Sequence, residues 1–118
     1  MDKLEFVRVV KTQTSDSATE SAIHELEHPS GRSPSSDALE RSNWFHSLST
    51  GDQEILKSIL LDVAERAVFG FFAILDGARP IEDESVGHLE LRYVRESFQT
   101  QLNDDENEEL HDLFNQIR

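Results

Sequence analysis

The chain has 118 residues, 24 of them acidic and 11 basic, which leaves a formal net charge of −13, and it has no cysteine. That length suits one domain, and two independent cores are not expected. Phosphate backbones and anionic lipid repel such a surface, and the nearest approach to a basic patch, Arg92 and Arg95, is flanked by Glu90 and Glu96. Nucleic-acid and membrane partners are therefore not expected, whereas a protein partner, in particular a basic one such as a nuclease held by an acidic inhibitor, suits the charge.

Without cysteine there can be no disulfide, thiolate zinc site or Cys nucleophile. Met1-Asp2-Lys3-Leu4 runs directly into charged amphipathic sequence, unlike a signal peptide. The longest uncharged run, Ala67 to Leu75, falls far short of the roughly 20 residues needed to span a bilayer. These features predict a cytoplasmic protein.

In chain order, residues 1–10 carry Leu4, Phe6, Val7, Val9 and Val10. Asp2 and Glu5 have capping-box spacing for a helix, while the β-branched run favours a strand, so both remain open. Residues 11–36 read as a polar, partly disordered linker, with only Ile23 and Leu26 as large apolar side chains and at most a short, weakly docked helix over 16–28. The globular part is expected over 37–118.

Asp37 and Glu40 suggest a capped helix to about Ser47 that carries Trp44, Phe45 and Leu48 toward a core. Thr50, with Gln53 at the reciprocal position, is expected to cap the longest helix, along which Ile55, Leu56, Ile59, Leu60, Val63, Val68, Phe71 and Leu75 recur at spacings of three and four. Its end, "AVFGFFAIL", is apolar all round and belongs in the middle of a fold, although 68–75 also reads as a buried strand. Asp76-Gly77 supplies the stop.

After the acidic loop "GARPIEDESVG", residues 88–94 alternate as a half-buried strand with Leu89, Leu91 and Tyr93 on one face, and 98–102 can return beside it. Asn103 is expected to cap a last helix, with Asp104-Asp105-Glu106 in its first turn and a stripe of Leu110, Leu113, Phe114 and Ile117 that faces either a core or a second copy. The expectation is an α+β fold, mostly α-helical, in a single domain with a long central helix, a C-terminal amphipathic helix and a small antiparallel β-hairpin packed on the central helix.

One motif carries chemistry. "HELEH" at 24–28 fits H-E-x-x-H, in which two histidines four apart on a helix bind zinc and the adjacent glutamate polarises the metal's water. His24 and His28 would be the ligands and Glu25 the base. With Gly31 the segment resembles the metzincin pattern, but Pro34 stands where a third histidine should be. Pro29 biases His28 out of helical geometry, and the next histidine is His46, on another predicted element. Surface histidines before a linker are therefore the preferred reading, with no cofactor and no catalytic residue. A minimal zinc metallopeptidase is the alternative. The run "NDDENEE" at 103–109 resembles calcium ligands but lacks the turn glycine of a binding loop, and reads as an acidic helix start.

The words "NWFHSLSTGDQE", "VFGFFAILDGARPIED", "GHLELRYV" and "ELHDLFN" resemble a small bacterial family to which no activity is attached. The resemblance covers about 44–114 and leaves HELEH outside it. Sequence alone thus favours a small acidic non-enzymatic protein-interaction module.

Overall fold

The computed structural model describes residues 1–84 and 86–118; Ser85, within the acidic loop, lies outside the described residues. The chain is helical from its start, and Asp2 and Glu5 close the expected capping box at the head of α1 (Lys3–Lys11). A strand at 1–10 is thereby ruled out. The segment expected as a linker continues instead as helix: a π-helical stretch, Thr12–Asp16, leads into α2 (Ser17–Glu27), and only 28–35 lacks regular structure.

Small polar residues are the reason that expectation failed. Ser15 and Thr19 are buried against the body. Each hydroxyl donates to a carbonyl one turn back, Ser15 to Lys11 at 3.1 Å and Thr19 to Ser15 at 2.7 Å, so neither is buried unpaired. Helices can approach closely over such side chains, and little greasy surface is needed.

Next comes α3 (Ser36–Ser47), capped by Ser35, whose hydroxyl accepts from the Ala38 amide. Asp37 therefore lies inside the helix and is not its cap. α4 (Thr50–Leu75) follows after a tight turn, capped by the Ser49 hydroxyl, one residue before the expected Thr50. Its 26 residues extend about 39 Å. They include 68–75, which is helix and not strand. Gly77, at φ +77°, takes the left-handed conformation that follows the helix end.

The hairpin is shorter than the alternation implied: β1 (Arg92–Arg95) pairs antiparallel with β2 (Phe98–Gln101), Arg92 opposite Gln101, and residues 88–91 form no strand. It joins the body at its base, through half-buried Leu91, buried Leu102 and the side chain of Asn103, while Val94 and Phe98 are exposed. Packing of the whole hairpin along α4 is not observed.

The last helix, α5 (Leu110–Ile117), begins seven residues after Asn103. Two side chains account for this. Asn103 donates to the Leu75 and Leu89 carbonyls and accepts from the Leu91 amide, which leaves nothing for a cap. The Lys3 ammonium meets the Asp104 carboxylate at 2.6 Å and donates to the carbonyls of Asp104 and Glu106 at 2.9 and 2.7 Å, holding carbonyls that a helix would otherwise use.

The centre of the fold is Val7, Phe72, Leu110 and Phe114, flanked by Phe6, Val10, Val68, Phe69 and Leu113. The stripe of α5 faces this core and not a second copy. Along the other half of α4, the end of α2 is held by α3: Ser42 donates to the Leu26 carbonyl at 2.7 Å and His46 lies 3.0 Å from that of Glu27. These contacts occupy carbonyls that the helix end leaves open. Packing at both ends of a long rod gives an extended molecule, 50 × 34 × 26 Å. No helix among the described residues is long and apolar enough to cross a membrane.

Aromatic residues divide between core and surface. Phe45 and Phe72 are 1% exposed, whereas Trp44 and Phe71, expected inside, are more than half exposed. Phe72→Ala is expected to cost about 3–5 kcal/mol of unfolding free energy through the cavity it leaves, and Phe71→Ala about 0.5 kcal/mol or less. Chemical-denaturation midpoints of the two adjacent variants check the assignment.

Candidate functional site

Four places in the molecule bear on function. The first is the H-E-x-x-H segment. His24 and Glu25 lie in the last turn of α2, but His28, followed by Pro29, has left the helix at φ −142°, ψ 87°. The two rings lie 5.7 Å apart, centre to centre, tilted 53° to one another. Among the described residues no third histidine or carboxylate joins them in a cluster of ligand atoms. Glu25 accepts from both the amide and the hydroxyl of Ser30, and these bonds, the hydroxyl first, hold its carboxyl below the ordinary glutamate range. Because the folded value is the lower one, this tether is present at neutral pH and is lost as pH falls through that value. Its lone pairs serve a chain turn.

The second place is the junction of α4 and α5. Asp76 ends α4, and its side chain, 1% exposed, accepts from the backbone amide of His111 at 2.8 Å and from ring Nδ1 at 2.6 Å, both through Oδ2. The carboxylate can only accept, so Nδ1 carries the proton. Glu109, the residue at the N-cap of α5, makes no side-chain cap of its own; Asp76 supplies it from across the junction. A carboxylate is disfavoured at the end of α4 by the helix dipole and favoured at the start of α5, and the His111 N–H groups tie it to the latter. Phe69 covers the imidazole edge-on at 5.6 Å, and Arg79 and Arg118 stand over the Phe69 ring at 5.8 and 5.6 Å.

Glu109 approaches His111 Nδ1 at 3.4 Å, and Asp112 approaches Nε2 at 3.5 Å. Asp76, Glu109 and His111 are the one set among the described residues whose potential metal-ligand atoms lie within 4.8 Å of one another. A metal would have to displace the proton shared between His111 and Asp76. Oδ1 of Asp76 is buried without a hydrogen-bond partner.

Third, the calcium-like run 103–109 closes around a cation that belongs to the chain, the Lys3 ammonium. Beside it a cleft of about 470 Å³ is lined by Asp76, Arg79, Glu82, His88, Asn103 and Asp105, among others. Lys3, a residue without any sequence signal for a site, organises this acidic end.

Fourth, α4 has a bare face. Leu56, Leu60, Ala64 and Val68 are partly buried on the packed side. On the other, Ile55, Ile59 and Val63 are 59%, 52% and 59% exposed. The Asp62–Arg66 pair, 2.8 Å, borders them. The sequence reading places these three residues in the three- and four-residue spacing of the long helix, a pattern that does not say which apolar side chains the rest of the fold leaves uncovered. No protein-family model, curated protein or solved structure matches this chain.

The junction predicts a specific stability pattern. His111→Ala leaves the buried Asp76 charge with fewer donors and is expected to cost about 3–5 kcal/mol; pairing it with Asp76→Asn, which removes the charge, should recover a substantial part. Urea midpoints of the two single variants and the double variant read this coupling.

Proposed function

We propose that the chain is a non-catalytic protein-binding module of the cytoplasm, and that its binding surface is the outer face of α4. The observation that carries this reading is the exposure of Ile55, Ile59 and Val63 on one stripe of a helix whose opposite side is already packed. Single exposed apolar residues are ordinary on protein surfaces, but three on adjacent turns, with Ile55 and Ile59 beside the charged Asp52, Asp62 and Arg66, have the make-up of a helix-docking seam. The formal charge of −13 adds long-range attraction for a basic polypeptide and repulsion of nucleic acid. The zinc-peptidase alternative would need Glu25 to give up Ser30 and His28 to re-enter the helix, so the geometry favours the binding reading.

A photo-crosslinking amino acid placed at Ile59, and separately at exposed Gln116 on α5 as a control, tests the surface in cells. Covalent adducts to a polypeptide are expected from position 59 and not from 116. No adduct at 59, or equal labelling at both positions, would contradict the proposal.

A further inference from the structure

The order of residues along the bare stripe says what fits it. Asp52, Ile55, Ile59, Asp62 and Arg66 follow one another at alternating spacings of three and four, the seam of a helix that packs on another helix, with Val63 at its edge. Asp52, Ile55, Ile59, Val63 and Arg66, with Asp62 to one side of them, are also complementary to their own reverse. Asp52 and Arg66 lie seven positions to either side of Ile59, and Ile55 and Val63 lie four. When a second α4 is laid antiparallel with the two Ile59 side chains at the centre, each Ile55 meets a Val63 and each Asp52 meets an Arg66. A two-fold axis through Ile59 makes every contact twice, as an isologous interface requires.

We infer that the outer face of α4 is the interface of an antiparallel homodimer centred on Ile59, with Asp52 of each copy paired to Arg66 of the other. This rests on the reading of that face as a protein-binding surface and names its occupant. Arg66 is the charge best placed for the role. Its side chain is 71% exposed and already turned toward the seam residue Asp62, 2.8 Å away, so in the pair it can serve Asp62 of its own copy and Asp52 of the second. Asp52 is exposed in the first turn of α4, where its amide, but not its carboxylate, is engaged by the Ser49 cap. Each copy carries −13, so distant charges oppose association. The antiparallel register is the one that sets a cation against an anion at both ends of the contact.

The fold keeps this stretch accessible. From Asp52 to Arg66 the seam runs about 21 Å. Farther along, the helix is covered at Gly70 and Ala73: the Arg79 guanidinium lies over Gly70, so close that a Cβ there would stand 2.7 Å from Nη1, and Ala73 is buried.

Sedimentation equilibrium on the full chain over a micromolar to submillimolar range tests the inference, with circular dichroism to confirm that each variant is folded. The wild type is expected to show a reversible monomer–dimer equilibrium, and Ile59→Asp to weaken it by about 100-fold, since it places two like charges at the centre of the interface. Asp52→Arg alone and Arg66→Asp alone should each weaken it by about tenfold, and the double variant D52R/R66D, which restores the pairs between copies but leaves Asp62 without its own cation, should recover most of that loss. A chain that stays monomeric throughout, an unaltered equilibrium in I59D, or a double variant as weak as the product of its singles would each overturn the homodimer. The homodimer and the broader reading fail separately. A monomeric chain whose Ile59 crosslinker captures a different protein leaves the binding face standing with another occupant, whereas a monomer with no adduct at Ile59 removes both.

Discussion

Everything else in this molecule hangs on the way both ends of the chain close over the C-terminal half of α4. Val7 from α1 and Leu110 and Phe114 from α5 meet Phe72 in one fully buried cluster. Burial of side chains of this size supplies about 1.5–3 kcal/mol each in transfer free energy. Asp76 fixes the angle at which α5 arrives, since its carboxylate caps the first turn of that helix while belonging to the end of α4. Lys3 does the corresponding work at the start of the chain, drawing the acidic 104–108 loop onto α1. A hydrophobic cluster with a charged clasp on each side explains how so acidic a chain holds a defined body.

That arrangement has a consequence for the rest of α4. The helix is longer than the body it serves. Its N-terminal half is supported on one side only, by α2 and α3, through bonds such as Gln53 to the Phe45 carbonyl and Lys57 near Glu27. Among the described residues, no helix covers the far side of that half at Ile55, Ile59 and Val63. The functional proposal and the homodimer both begin from this geometric remainder, an apolar face on an element whose folding contacts are already made elsewhere.

Much of the scaffold was legible in the sequence. The three- and four-residue spacing of Ile55 to Leu75, stopped by Asp76-Gly77, marks out α4 almost to the residue, although a strand at 68–75 stayed open, and the spacing of Asp2 and Glu5 offers the cap that the structure contains beside the strand alternative for 1–10. What was missed shares one cause: contacts between residues far apart in sequence. Ser15 and Thr19 look like linker residues until α4 lies against them. Asp104 to Glu106 look like a helix start until Lys3, about a hundred positions earlier, takes their carbonyls. Asp76 and His111 have no sequence relation that announces a pair. The H-E-x-x-H letters show the converse, a local pattern whose geometry is broken at His28 by the next residue.

The account stands on the claim that the body is complete without the outer face of α4. Thermal unfolding of dilute protein in which Ile55, Ile59 and Val63 are all replaced by serine tests that claim directly, because serine and isoleucine differ little in helix propensity. A cooperative transition within about 3 °C of the wild type is predicted. Loss of the cooperative transition, or a midpoint lowered by about 15 °C or more, would mean that these side chains belong to the core and that no binding face exists.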